Sequence, residues 1–246
     1  VAAQRRLFAP ELPAAGGACT LDAEAAHHAR VLRLTVGDAV VLFDGRGREC
    51  DAHLTAIEAD GLRCEAEIPR ETRNLTRRVI LIQCLPKGDK LEAIARMATE
   101  LGITEIALAH GARSVARPDA KRAEAQRERL ERIAREAARQ SEQASVPAIT
   151  APVGLREAAA RAPRTALRLA LVPGAGMPLA TRLAGTPADA EIWLVVGPEG
   201  GLDRAELDAL AALGFEAAEL GASTLRVETA APVAVALARM VIALTP

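Results

Sequence analysis

Ile192-Trp193-Leu194-Val195-Val196 runs directly into Gly197-Pro198-Glu199-Gly200-Gly201-Leu202, and few folds accommodate that junction. Five consecutive apolar residues, three of them β-branched, predict a strand buried on both faces, as in a parallel sheet. The strand must stop at Gly-Pro, because proline has no N–H to donate and glycine tolerates positive φ. Asp203 then stands as a helix N-cap, with Glu206 at the spacing of a capping box. The expected order is strand, glycine-rich turn, helix. In an open α/β sheet such a turn lies at the carboxyl end of a strand, where ligands bind. Bare glycine backbone admits a ligand closely, yet the same turn also serves as a tight connection with no ligand, so the motif alone does not decide.

The whole chain has 246 residues, half of them apolar and a quarter charged, with a net charge of −1. That length suits one large domain or two smaller ones with a sizeable core. No apolar run approaches the ~18 residues of a membrane span, and no charged-then-apolar leader is visible. A globular cytoplasmic protein is the expectation. Arginine outnumbers lysine 28 to 3 and tyrosine is absent; we read this as a nucleotide-composition bias, which makes each arginine a weaker pointer to phosphate. Cys19, Cys50, Cys64 and Cys84 form no CxxC pair. Cys50, His53 and Cys64 match no common zinc spacing, and His27-His28 has no acid or thiol nearby, so buried thiols and no metal are expected.

Residues 1 to about 70 read as mostly β. Ala39–Phe43 is a short apolar strand, Asp44-Gly45-Arg46-Gly47 a hairpin signal, and alternating segments follow at Cys50–Ile57 and Leu62–Ile68. Only Asp22–Leu34 reads as helix. Short strands with tight turns suggest a small barrel or sandwich; its balanced charge does not by itself make it a nucleic-acid binder, and Arg5, Arg6, Arg30 and Arg33 are candidates to share one face. The polar stretch Arg70–Arg78 reads as a linker. Beyond it strands alternate with helices: a strand at Val79–Leu85, a helix opened by Asp89 and Glu92 with Leu91, Ile94, Ala95, Ala98 and Leu101 inward, and Gly102 at its C′ position. A strand at Ile103–Ala109 and a long helix from Pro118 to about Glu142 follow. Arg113–Arg139 carries nine basic and five acidic residues, which suits either a solvated helix face or a phosphate-contacting one. Further strands are expected at Leu167–Val172, at Ile192–Val196 and at Phe215–Leu220, with an apolar helix closing the chain. Residues 75–246 therefore predict a doubly wound parallel α/β sheet.

Three of these strands end in glycine-containing turns. Leu171-Val172 leads to Gly174; Val196 leads to Gly197, Pro198, Gly200 and Gly201; Leu220 leads to Gly221, Ser223 and Leu225. If the strands are neighbours, the turns meet at one edge and can hold a nucleoside-like cofactor through backbone groups. Neither GxGxxG after the first strand nor GxxxxGK[ST] is present. A phosphate-bearing cofactor is disfavoured, and S-adenosylmethionine fits better.

At this point the sequence resembles a known family, the small-subunit ribosomal RNA uracil-N3 methyltransferases of the SPOUT class. The resemblance runs through Arg6-Leu7-Phe8, His28–Arg33, Leu42–Gly45, Lys87-Gly88-Asp89-Lys90, Thr99–Gly102 and Glu136–Ser141. It continues through Val146-Pro147, Gly197–Gly201 with Glu206, and Leu220-Gly221 with Leu225-Arg226, Glu228 and Ala230. It implies an N-terminal PUA-like β-barrel over residues 1–72 that holds RNA. It also implies a SPOUT domain over 73–246 with a trefoil knot, and a homodimer acting on 16S ribosomal RNA, in the assembled small subunit. Lys87, Arg113 and Gln143 join the arginines above as RNA contacts. The chain makes three departures from the family's usual pattern: Gln143 stands for a basic residue, Ser223 and Thr224 for Arg-Ile, and Pro173 for a carboxylate.

The implied reaction moves a methyl group to N3 of a uracil by in-line displacement, with positioning supplying much of the acceleration and no metal required. Glu228 is the candidate base or orienter and Arg226 the stabiliser of charge on the uracil oxygens, while Glu199 orients the base or braces its loop. Each has a plainer reading: Glu228 as an acid favoured at a helix start, Arg226 as a clamp. Two rival functions remain, methylation of another RNA base or a ribose 2′-hydroxyl, and non-catalytic RNA binding in ribosome assembly.

Overall fold

The computed structural model describes residues 5–72, 77–114, 118–187 and 189–243. The chain divides into two compact units: Val1–Asn74 with Arg135–Val146, and Leu75–Ala134 with Pro147–Pro246.

The first unit contains β1 (Arg6–Phe8), β2 (Gly17–Leu21), α1 (Ala23–Val31), β3 (Ala39–Phe43), β4 (Arg48–Ile57), β5 (Leu62–Ala66) and β6 (Arg70–Glu71). The strands form one sheet in the order β1-β3-β4-β5-β2, with β6 on β4; only the β1/β3 pair is parallel. The alternation read from the sequence is realised as Leu62, Cys64 and Ala66 pointing inward on β5, in one core with Cys50, Ala52 and Leu54 of β4. The Asp22 carboxylate accepts the Ala25 N–H at 3.0 Å and starts α1, whose Ala25, Ala26 and Ala29 lie against the sheet. The stretch expected as a linker is partly structure: Arg70 pairs with Glu49 and Asp51 from β6, and Arg77 is buried with its guanidinium on the Thr186 and Pro187 carbonyls of the second unit. Its middle, 73–76, lies outside the described residues. Residues Arg135–Val146 add to the linear division at 72/73: Ala138, Ala144 and Val146 pack on Phe8 and Phe43, and Val146 donates its N–H to Gly45.

Arg6 is the clearest correction in this unit. Expected on an RNA-facing surface, it is only 2% exposed, with Nη2 2.8 Å from Glu49 Oε2 and its guanidinium 5.3 Å over the Phe43 ring. Arg6 and Phe8 share one face of β1 while Leu7 enters the core from the other; Arg6 is buried on its own face by Phe43 and Glu49.

The second unit contains β7 (Val79–Cys84), α2 (Lys90–Glu100), β8 (Glu105–His110), the start of α3 (Ala120–Gln140), β9 (Ala148–Gly154), α4 (Leu155–Ala160) and β10 (Leu167–Leu171). It continues through α5 (Leu179–Leu183), β11 (Ile192–Val196), α6 (Arg204–Ala212), β12 (Glu216–Ala218) and α7 (Val227–Ala243). All six strands run parallel in the order β12-β10-β11-β7-β8-β9. β7 and β11 are buried along their whole length, as continuous apolar runs require. β9 has no counterpart in the sequence reading: it is an edge strand containing Pro152, with a register shift against β8, so it shows no apolar run. In α2 Leu91, Ile94, Ala95 and Ala98 are buried, whereas Leu101 lies past the helix end as its C-cap and is 36% exposed. Gly102 takes φ +80° to turn the chain.

Replacing Arg6 by alanine leaves Glu49 at a largely dry site with only the Arg70 contact. Losing one partner of a buried ion pair is expected to lower stability by about 3 kcal/mol, whereas Arg5→Ala, at the half-exposed pair with Asp38, is expected to cost less than about 1 kcal/mol. Denaturant unfolding followed by circular dichroism measures both.

Candidate functional site

β10 lies between β11 and β12, and the three strands end level: Leu171 is paired with Val196 on one side and Ala218 on the other. Their turns therefore leave the sheet at one edge, the carboxyl edge, where a parallel sheet opens to ligands. Val172 N–H continues the ladder to the Ala218 carbonyl at 2.8 Å, and Gly201 N–H closes the next turn onto Pro198 at 2.8 Å. Between the turns and the start of α7 is a cleft of about 360 Å³, within the range of small-molecule sites, about 300–1,000 Å³.

Leu171, Val172, Val196, Gly197, Pro198, Gly201, Leu220, Gly221, Ser223 and Leu225 all line this cleft; Gly174 and Gly200 do not. Gly197 is needed for its missing side chain, since a Cβ there would lie 3.1 Å from Leu202 N and 3.2 Å from Gly201 C. Gly200 is excluded because Arg113 covers it: the arginine side chain packs 3.0 Å from where a Gly200 Cβ would be, and its guanidinium donates to the Gly200 carbonyl. Arg113 thus braces the turn.

The charged residues collect at the rim. Glu199 accepts the Lys87 N–H, at 3.0 and 3.2 Å to its two oxygens, and its Oε1 lies 2.7 Å from Lys90 Nζ. Of the two roles open to Glu199, this geometry displays the brace. Lys90 reaches on to Glu228 Oε2 at 3.9 Å, and that oxygen is buried without a hydrogen-bond partner among the described residues. Glu228 sits in the first turn of α7. Arg226, exposed, lines the cleft just before that helix, and its carbonyl receives the Thr229 and Ala230 N–H groups. Partial burial pushes the Glu199 carboxyl up, but the Lys90 ammonium and the N–H groups outweigh it, leaving Glu199 below the usual carboxylate range. The same hydrogen bond holds Lys90 above its ordinary value.

The helix after the turn forms as its sequence predicts. Asp203 accepts the Glu206 N–H and Glu206 returns a carboxylate oxygen to the Asp203 N–H, each at 2.8 Å. The second Glu206 oxygen accepts Ala112 N–H at 2.7 Å, so one carboxylate joins the helix start to the turn after β8.

The other expected RNA contacts are dispersed. In the first unit Arg5 pairs with Asp38 at 3.0 Å, Arg30 bonds the Ala26 and Ala59 carbonyls, Arg33 is exposed at φ 55°, and Gln143 is half-buried. Lys87 and Arg113 both serve the Gly197–Gly201 turn.

Sequence reasoning gave no site role to Lys90, Pro173, Glu219, Thr224, Val227 or Ala230, which complete the cleft. Composition held a signal for the first: two of the three lysines in this arginine-rich chain, Lys87 and Lys90, flank one turn. A carboxylate does enter beside Pro173, from Glu219 on the neighbouring turn. All four cysteines are free, with Cys50, Cys64 and Cys84 buried and Cys19 half-buried. Among the described residues no group of three or more His, Cys, Asp or Glu is placed to hold a metal.

A family model described as an RNA methyltransferase domain matches residues 73–239, and one described as an RNA methyltransferase PUA domain matches residues 21–67. The chain is 32% identical over 218 residues to the ribosomal RNA small subunit methyltransferase E of Bacillus subtilis, covering 86% of this chain and 85% of that one. It is 33% identical to the Synechocystis protein of the same name, over 96% of this chain and 77% of the relative. Among solved structures it is similar to ribosomal RNA small subunit methyltransferase E from Neisseria gonorrhoeae bound to S-adenosyl methionine, with TM-score 0.87 and 29% identity over 95% of each chain. A putative methyltransferase from Legionella pneumophila in complex with the same cofactor gives TM-score 0.87 and 25% identity, covering 96% of this chain and 97% of that one.

The Glu199 brace carries a pH signature. A carboxylate whose folded pKa is depressed contributes stability above its unfolded value and loses it as pH falls through the folded one. Protection of the Lys87 amide from hydrogen exchange, corrected for intrinsic rate, is therefore expected to drop once pH falls below the ordinary carboxylate range. Glu199→Gln is expected to flatten that dependence; unchanged protection of the natural chain through this range contradicts the brace.

Proposed function

The chain belongs to the ribosomal RNA small subunit methyltransferase E family, and from that premise we propose that it methylates N3 of a uridine in 16S ribosomal RNA, with S-adenosylmethionine as methyl donor. The observation that carries this reading is the cleft at the level ends of β10, β11 and β12. It is walled by Leu171, Val172, Val196, Leu220 and Leu225, floored by side-chain-free Gly197, and rimmed by Lys90, Arg226 and Glu219. Apolar walls suit an adenine ring, exposed turn backbone suits its ring nitrogens, and the charged rim suits an amino-acid tail.

When bound, S-adenosylmethionine supplies an electrophilic methyl group on a sulfonium. The residues of the chain have three tasks around it. The braced turns hold the cleft open in advance, so little order has to be created on binding. Glu228 takes the N3 proton as the new N–C bond forms and the C–S bond breaks, the electron pair staying on sulfur. Arg226 places positive charge where the uracil oxygens become negative.

The same reading assigns residues 1–72 to a PUA-like RNA-holding domain and 73–246 to a knotted SPOUT domain. It makes the working form a cytoplasmic homodimer on the assembled small subunit, with Arg5, Arg30, Arg33 and Gln143 among the RNA contacts. No described helix is long and apolar enough to cross a membrane.

Incubation of unmodified small ribosomal subunits with methyl-labelled S-adenosylmethionine, followed by nucleoside mass spectrometry, tests the proposal. 3-Methyluridine is the expected product. Glu228→Gln is expected to slow transfer by roughly 10²-fold or more while leaving cofactor binding within about twofold. A 2′-O-methylated nucleoside, another methylated base or no transfer contradicts the assignment.

A further inference from the structure

Four charged residues line the cleft, Lys90, Glu199, Glu219 and Arg226. Lys90 and Glu199 neutralise each other at 2.7 Å. Glu219 is different: it has no ion-pair partner among the described residues. Its Oε2 accepts the Gly176 N–H at 3.0 Å, while its own N–H donates to the Met177 carbonyl at 2.9 Å and its carbonyl accepts the Leu179 N–H at 2.8 Å. Backbone and side chain are both tied to the turn after β10, and Oε1 is left for a ligand.

A fixed carboxylate with an oxygen open to the cleft is set to take a hydroxyl in place of water, and O–H···O⁻ bonds are among the strongest neutral-to-charged contacts. Each carboxylate oxygen has two acceptor positions, so Oε2 keeps capacity beside the Gly176 bond. Glu219 lies at the β10/β12 side of the cleft, whereas Lys90 and the Pro198-Glu199 turn lie beyond β11 and Arg226 leads into α7. The amino-acid tail, with its own carboxylate and ammonium, suits the paired Lys90 and Glu199, where both signs of charge stand. Of the ligand's other donors, the adenine amino group is a single site, whereas the vicinal hydroxyls of the ribose are a pair that matches Oε1 and the free position of Oε2.

We infer that Glu219 is the acceptor for the ribose diol of the adenosyl ligand and sets the cleft's preference for ribose over deoxyribose. The inference rests on reading the cleft as the S-adenosylmethionine site. It places a specificity residue just past β12, on the turn beside the one after β10 where Pro173 stands.

The test is calorimetric titration with S-adenosylhomocysteine, 5′-methylthioadenosine and 5′-methylthio-2′-deoxyadenosine, using the natural chain, Glu219→Gln and Glu219→Ala. Glutamine keeps an oxygen for the Gly176 N–H. In the natural chain, loss of the 2′-hydroxyl is expected to weaken binding about tenfold, as a site built to bond a hydroxyl rejects the analogue lacking it. In both variants the ribose and deoxyribose ligands are expected to bind within about twofold of each other, the ribose ligands having weakened about tenfold. A deoxyribose penalty that persists in the variants overturns the role of Glu219, and so does a natural chain that shows none. Weakening of S-adenosylhomocysteine alone, with both thioadenosines unaffected, also overturns it, by moving Glu219 to the amino-acid tail. A natural chain that binds none of the three overturns the cofactor reading itself, and this inference with it.

Discussion

The cleft depends on one register. β12 has only three residues, yet its pairing with β10 sets Ala218 beside Leu171, which is itself beside Val196. Because side chains alternate with period two, a slip of one residue on either side would turn inward-facing groups outward and displace one turn from the other two. With the strands level, the turns after Leu171, Val196 and Ala218, which are 25 and 22 residues apart in sequence, open at one edge. Fully buried β11 fixes its own position on two neighbours, β10 and β7.

Glycine-rich turns lose much conformational entropy on ordering, so this edge requires outside support. Arg113 from the turn after β8 holds the Gly200 carbonyl. Glu199 is held by Lys87 and Lys90 at the start of α2, and Glu206 reaches from α6 to Ala112. These bonds come from the ends of β7 and β8, one and two strands away in the sheet, and cost the ligand nothing to form, which is the physical content of a preorganised site. Lys90 also couples the brace to the chemistry, since its ammonium lies between Glu199 and Glu228.

Much of the frame was legible in the sequence. The all-apolar runs of β7 and β11, the Asp203/Glu206 capping box and the C′ position of Gly102 are local patterns, and each forms as read. The three turns were legible too, although only a conditional statement about neighbouring strands was available until the β12-β10-β11 order was known. What could not be read is what depends on distant partners. Arg6 looks like a surface cation until Glu49, 43 positions away, is seen beside it. Arg113 looks like an RNA contact until Gly200 is found beneath it. Residues 135–146 continue a helix in sequence, yet pack on Phe8 and Phe43 because Ala138 and Ala144 leave room for those rings. β9 lacked an apolar run because an edge strand needs none. Glu219 was invisible as a site residue because a single carboxylate after a short strand carries no pattern.

The claim on which the account stands is that this glycine edge is the cofactor site. Titration of S-adenosylmethionine into the natural chain and into Gly197→Val, with circular dichroism to confirm folding, addresses it most directly. The account expects the natural chain to bind and the variant to lose about tenfold or more, ~1.4 kcal/mol, because a side chain at position 197 collides with backbone at Gly201 and Leu202. Undiminished binding to a folded Gly197→Val chain, or no binding by the natural chain, would contradict it.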